Sequence, residues 1–463
     1  MKELKKTVWF ILTLTAAAGL LAFCRFTGNQ ILATCVFLSV ICGTLLYWQF
    51  RLAFAFGGIA VLLVANLIDV PHVIEFAGLD IILFLVGMMI LIGFLEENHF
   101  FEYLIARIVD GIGQRAYLLM AVLMSLAALF AALVDEVTSI LFMMSTMFHL
   151  ARRYQVNPIP FLLMIVFTTN IGSSATAVGN PIGVMIALRG HLTFADFLRW
   201  ATPISFIVLL TTIPLCFLLF NPALKELNLK MKGEKEKHKE TDALEHKPGN
   251  IPLCWGLFVC TVVSLVLHAH LEKILGLQKN SLLLATSLAA GAIVILLKHA
   301  EARDFFTRRV DWWTLAFFMS LFASVGTLEF VGVTARIAES MIALGQSNPT
   351  FLFIIFSGAI SLLTGFMDNV LAVATFIPIL HAIHEAGVYT FPFWWGMLFG
   401  GTLFGNLTVI GSTANIVAMG MLEKEFGKHI SFMDWLKPGF IVSMITISLA
   451  LVLLYMQFPL MPR

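Results

Sequence analysis

Charge is the scarcest property of this chain. Of its 463 residues, 59% are hydrophobic and only 12% are charged, where soluble domains carry about 25%. That balance excludes a soluble globular enzyme. The net charge of +1 gives no electrostatic footing for a nucleic-acid partner, and none is expected. Cysteine is sparse too. The six (Cys24, Cys35, Cys42, Cys216, Cys254 and Cys260) lie in apolar segments without CxxC spacing, so they read as small buried hydrophobes and not as a metal or redox site. No GxxxxGK[ST] phosphate loop occurs, which leaves no ATPase within the chain. HExxH and GxSxG are also missing. Hydrolase chemistry has no motif to rest on, so the chain is read as neither an enzyme nor the holder of an organic cofactor.

Uncharged apolar sequence is what the chain has in abundance. About 18 to 20 such residues cross the hydrocarbon core as a helix. Eleven spans are expected, near 7–23, 31–48, 52–69, 80–95, 159–188, 200–220, 251–270, 281–298, 311–330, 391–422 and 438–457. The fold class is therefore an all-α polytopic membrane protein. The N-terminal "MKELKKTVWFILTLTAAAGLLAF" has no evident cleavage site, so residues 1–30 read as an additional first transmembrane helix and not a signal peptide. With the N-terminus in the cytoplasm, inside segments carry roughly twice the Lys and Arg of outside ones, even without the linker 221–250. That places the linker in the cytoplasm and the C-terminal Arg463 outside. The linker, "KELNLKMKGEKEKHKETDALEHKPGN", is polar and lysine-rich and is expected to be a disordered connector. It separates a first repeat, 31–220, from a second, 251–463.

The halves echo one another. "LVDEVTSILFMMS" around Asp135 matches "FMDNVLAVATFIP" around Asp368. "TAVGNPIGVM" at Thr176 matches "TVIGSTANIV" at Thr408. "LIARI" at Leu104 and "FADFL" at Phe194 find partners at Val333 and Phe432. The offsets are 233, 232, 229 and 238 residues, a near-constant shift that marks an internal duplication. Five spans per half make the second copy enter the membrane from the opposite side. Inverted repeats with interrupted helices signal a secondary transporter whose site lies near the midplane.

Two segments, 116–150 and 350–385, hold acids in the middle of apolar sequence. After Asp135-Glu136 and after Asp368-Asn369 the uncharged return is short. Each segment reads as a re-entrant hairpin with its acidic tip buried beside a watery cavity. Two spans should be broken. In 159–188, Gly179-Asn180-Pro181 breaks the helix within a cluster that includes Asn170, Ser173, Ser174 and Thr176. In 391–422 the break falls at Gly405–Gly411, with Asn406, Thr408, Ser412, Thr413 and Asn415 beside it. Gly396-xxx-Gly400 fits close helix packing equally well. Trp312, Trp313, Trp394 and Trp395 are expected at the water–lipid interface.

"DEVTSILF", "NPIPFLLMIVFTTNIGSSATAVGNP" and "MDNVLAVATFIPI…GNLTVIGSTANIVAMGMLEK" resemble the ion transporter superfamily, in its arsenite permease / Na+/H+ antiporter (ArsB/NhaD) branch with the P protein and citrate-transporter-like domains. The resemblance covers nearly the whole chain. It implies eleven spans, two re-entrant hairpins, two interrupted helices, a homodimer and elevator-like alternating access. By position it implicates Asp135, Glu136, Thr138, Asp368 and Asn369 at the tips. At the breaks it implicates Asn170, Ser174, Thr176, Gly179, Asn180, Pro181, Asn406, Thr408, Gly411, Ser412 and Asn415. This chain departs from the pattern at two places. The first tip often reads Asp-Asn in the family and here is Asp135-Glu136; the first break often reads Gly-Asp-Pro-Pro-Asn and here is Gly179-Asn180-Pro181-Ile182-Gly183. The Ser-Asn-Thr of the dicarboxylate carriers is absent at both tips.

The sequence thus points to an ion-coupled secondary transporter of a small ion in the cell membrane. An ionised acid at membrane depth costs roughly 3 kcal/mol or more unless paired, and neither hairpin core nor broken helix holds a Lys or Arg. A coupling ion, Na+ or a proton, is therefore expected near Asp135 and Asp368. The alternative is a permease for arsenite or another inorganic or organic anion. A channel, the alternative of another class, is disfavoured by the inverted repeat.

Overall fold

The computed structural model describes residues 2–109, 112, 115–233, 249–345 and 348–462. In the first half, α1 (Lys2–Phe23), α2 (Gly28–Leu46), α3 (Arg51–Val64) and a short α4 (Val70–Phe76) lead to α5 (Leu79–Glu97) and α6 (Phe100–Val109). A hairpin follows, α7 (Ala116–Leu133) and α8 (Glu136–Arg153). One interrupted helix is formed by α9 (Pro158–Ser173) and α10 (Pro181–Arg189). The turn α11 (Phe194–Asp196) and a π-helical stretch continue into α12 (Thr202–Leu219), and α13 (Asn221–Gly233) closes the half. The second half begins with α14 (Ile251–Leu275), α15 (Ser281–Lys298), α16 (Ala302–Arg309), α17 (Trp312–Phe330) and α18 (Val333–Leu344). It continues as a hairpin, α19 (Pro349–Phe366) and α20 (Asn369–Glu385). The second interrupted helix, α21 (Phe391–Leu403) and α22 (Thr413–Phe426), is bridged by 3-10 turns, and α23 (Phe432–Gln457) follows.

Short polar side chains start these helices by taking up free backbone amides. Asn157 before Pro158, Asn180 before Pro181 and Asn348 before Pro349 all cap this way, with proline at a position that lacks an amide partner in any case. Among the described residues, ten helices are long and apolar enough to cross a bilayer, including the first arms α7 and α19. The expected spans fall on α1, α2, α3, α5, α9 with α10, α12, α14, α15, α17, α21 with α22, and α23. The protein is an all-α polytopic membrane protein.

Glycines set the closest approaches. A Cβ on Gly87 of α5 would strike the Ser287 backbone of α15, and one on Gly172 of α9 would strike the Ala128 backbone of α7. Gly396 and Gly400 bring α21 against Ser357 and Ser361 of α19, so this pair serves packing, the equivalent in the second half of the α7–α9 contact.

Several expectations change. The span at 52–69 stops at Val64, because Asn66 takes left-handed backbone (φ 55°) and Asp69 caps a separate α4. Between the span at 80–95 and the first hairpin, where no span is expected, Phe100, Phe101 and Ile105 are buried and hold a helix. The linker is not disordered at its start. Leu224, Leu227 and Met231 fall on one face at helical spacing and bury, making α13; the rest, 234–248, lies outside the described residues, as does Arg463. Trp394 and Trp395 are 7% and 0% exposed and belong to the interior, where Trp395 packs edge-on to Phe197. Trp312 and Trp313 are exposed.

Candidate ion and substrate site

Both hairpin tips are helix N-termini, and an aspartate caps each. Asp135 Oδ1 accepts the amides of Val137 and Thr138 at 2.8 and 2.9 Å, and Oδ2 accepts the Thr138 hydroxyl at 2.5 Å. Asp368 Oδ1 accepts the Val370 amide at 3.0 Å, and Oδ2 accepts the hydroxyl of Thr413, the first residue of α22, at 2.7 Å. All four oxygens thus have a donor, and each carboxyl sits at the N-terminal end of a helix. Asp135 is half-buried and Asp368 is buried.

The tips meet each other. Asn369 of α20 donates through Nδ2 to Glu136 Oε1 of α8 at 3.3 Å. The Ser412 hydroxyl lies 3.2 Å from the same oxygen and 3.1 Å from Asn170 Oδ1, sharing its one proton between them. Asn170 Nδ2 donates to Asn406 Oδ1 at 2.7 Å and to Asn415 Oδ1 at 2.9 Å. Asn415 in turn donates to the carbonyls of Gly405 and Thr408 at the second break. Asn180 donates to Ser173 Oγ at 2.9 Å and caps α10 through Gly183 N; Ser173 also lies against the Glu136 carboxyl. Glu136, Asn170, Asn180, Asn369, Asn406, Ser412 and Asn415 are each at most 2% exposed. One buried polar chamber therefore joins two tips and two breaks, and the acids arrive there on short helix-starting turns.

Other predicted residues brace this chamber instead of lining it. Thr176 Oγ1 donates to the Ala132 carbonyl, and Thr408 Oγ1 to the Gly365 carbonyl at 2.7 Å. These are equivalent stitches, each tying a break to the first arm of its own hairpin. Ser174 pairs with Ser205 of α12 at 2.8 Å. Thr138 serves Asp135. Gly179 and Gly411 pass so close to the carbonyls of Ser173 and Gly405 that a Cβ would collide with backbone at either place. Gly179→Ala and Gly411→Ala are each expected to destabilise the protein by about 1–3 kcal/mol, read as a lower thermal midpoint in detergent. An unchanged midpoint for both variants would show that the breaks yield freely.

Residues 45–400 match the citrate transporter family, CitMHS. The chain belongs to that family. An uncharacterized transporter of Mycobacterium tuberculosis is 31% identical over 382 residues, 82% of this chain and 86% of that one. The P protein of Homo sapiens is 26% identical over 451 residues, 80% of this chain and 52% of that one. The crystal structure of the Alcanivorax borkumensis YdaH transporter shares the fold, with a TM-score of 0.58 at 14% identity, covering 88% of this chain and 90% of that one. This CitMHS-family chain is accordingly a membrane transporter and not an enzyme.

Two features of this family member escaped the sequence reading. Lys and Arg at span ends are expected in loops, and Arg51 lies at such an end. It is only 7% exposed, stacks on Trp48 at 4.3 Å, donates to Thr314 Oγ1 at 2.7 Å and acts electrostatically on Asp368. A basic residue at the start of a short span was the one available hint. Arg189, the last residue of α10, makes a two-point ion pair with Asp80 of α5 at 2.9 and 3.0 Å. Among the described residues, no group of three His, Cys, Asp or Glu side chains is placed to hold a metal ion.

Proposed function

We propose that this transporter is a secondary carrier that moves a small ion across the cell membrane, driven by a gradient of Na+ or H+. It works by alternating access at the chamber between the hairpin tips and the helix breaks. The carrying observation is the meeting of Glu136 with Asn369 and Ser412, which puts three acids and five amide side chains in one enclosed place. A cation suits that set. A trivalent carboxylate such as citrate would have to sit beside three acids. The reading extends to a homodimer with the N-terminus in the cytoplasm and the C-terminus outside.

A second reading is an arsenite or other anion permease. It is supported by α10 and α22, whose N-termini at the breaks carry the neutral caps Asn180 and Ser412 and would attract an anion.

Purified protein in liposomes, offered Na+, Li+, arsenite, phosphate and citrate in turn, separates these readings. Na+ or Li+ flux with opposed proton movement is expected. Accumulation of arsenite or citrate without cation exchange would replace the first reading with the second, and single-channel current steps would defeat both.

A further inference from the structure

Apart from the chamber, the protein holds a cavity of about 270 Å³ on the face where α10, α17 and α20 end. In the orientation proposed above this is the outer face. One wall comes from α4, α5 and α17, through Phe76, Ile81 and Phe322; the other comes from α10 and α20, through Met185 and Ala374. Both helices of the second wall begin in the chamber, α10 behind the Asn180 cap and α20 at Asn369. At a rise of about 1.5 Å per residue, Met185 and Ala374 lie roughly 6–8 Å along the helix from those starts. The cavity thus stands over the buried polar groups, with room for several water molecules.

Its charge is one-sided. The lining holds Glu75, Glu329, Arg189 and His381. Arg189 is the one Lys or Arg in that lining, and both its terminal nitrogens are given to Asp80. That pair cancels, and an anion seeking the same two-point contact would have to displace Asp80. Glu75 and Glu329 are exposed at the rim and have no basic partner among the described residues. Glu385, the last residue of α20, adds its charge to that of Glu329. His381 is largely neutral above pH 7. Two unbalanced carboxylates, with a third close by, face a space whose walls are mostly apolar. Such a cleft focuses its field and raises the local concentration of counter-ions by about tenfold or more.

We propose that this cavity is an outer antechamber of the carrier, that it gathers monovalent cations and turns anions away, and that Glu75 and Glu329 are its specificity-determining residues. The inference rests on the secondary-carrier reading and deepens it by naming the substrate class as a cation taken from this face. The cation keeps its water while it waits, since no three metal-binding side chains converge there among the described residues. No bond is made or broken in this step.

The test places a reporter thiol in the cavity as His381→Cys, at a half-buried lining position. The purified full-length protein is treated with a trimethylammonium and with a sulfonate methanethiosulfonate. Labelling of residue 381 is followed by peptide mass spectrometry, which keeps it apart from the native cysteines and needs no substrate. Relative to a small free thiol, the cationic reagent should be favoured by about tenfold or more. Adding Glu329→Gln should cut that preference several-fold, and Glu75→Gln with it should abolish it. Glu339→Gln, which removes an exposed acid of α18 outside the cavity, should leave the preference unchanged. In liposomes, Glu329→Lys should raise KM for Na+ or Li+ about tenfold at low salt and leave kcat near wild type, with the difference shrinking as salt screens the rim.

Equal rates for the two reagents, a preference that survives loss of both acids, or a thiol that neither reagent reaches would overturn the inference whatever the flux shows. A wild type that accumulates arsenite or citrate without cation exchange overturns it as well. Wild-type liposomes that move none of the panel, with the labelling preference intact, count against the carrier reading instead.

Discussion

Asn170→Leu is expected to abolish transport and to lower stability by roughly 3 kcal/mol or more. The replacement is close in volume, so the loss comes from hydrogen bonds and not from a cavity. Asn170 holds Asn406, Asn415 and Ser412 together with its three contacts at 2.7, 2.9 and 3.1 Å. Leucine leaves two buried amide oxygens without that donor and one hydroxyl without that acceptor, each worth about 1–3 kcal/mol when unmet. Asn415 and Asn406 keep their own bonds to backbone, which limits the damage to the link between the two breaks. Thermal unfolding in detergent and liposome flux would read the two effects separately. A variant with wild-type midpoint and wild-type flux would show that this link between α9 and the second break is dispensable.

The second large effect belongs to Gly172. Its Cα faces the backbone of Ala128, and a Cβ there would overlap the Ala128 carbonyl and Cα. Backbone cannot step aside as a long side chain can. Gly172→Ala should cost about 1–3 kcal/mol, and Gly172→Val should not yield a monodisperse protein at all. Gly358 is the control. It lies within α19 with nothing near its would-be Cβ, so Gly358→Ala should be neutral or stabilising by up to about 1 kcal/mol from helix propensity. Size-exclusion profiles and melting curves of the three variants check this. Comparable behaviour of Gly172→Ala and Gly358→Ala would rule out the close α7–α9 contact.

The hairpin tips and helix breaks were legible in the sequence because they violate the solvent. Asp135, Asp368, Asn180 and Pro181 are expensive in an apolar run, so their presence there demanded a structural reason. The offset near 232 residues then paired them, and it reappears in the matched stitches of Thr176 to Ala132 and Thr408 to Gly365. Contacts between the halves were not legible. Asn170 and Asn406 are 236 positions apart, and nothing in the spacing of amides says which ones touch. The separate roles of Asp135 and Glu136 were hidden for a related reason. Adjacent acids look alike in sequence, but one turns back to cap its own helix and the other projects to the opposite tip. Arg51 misled because positive charges near span ends usually mark loops; here the Trp48 and Phe317 rings cover the guanidinium. The helix at 221–233 was missed because its lysines outweighed three apolar residues on one face.

The contacts around the site differ in how readily they can be undone. Where α9 meets α7, Gly172 lies against the Ala128 backbone with no room for even a methyl group between them. Where α10 meets α5, the Arg189–Asp80 pair is about a third exposed on either side, so water can replace each partner and the pair can part and re-form for about 1 kcal/mol or less. The first contact behaves as a weld and the second as a clasp. Any displacement of the chamber relative to α5 would then carry α7, α8 and α9 along with it undeformed, and open at the clasp.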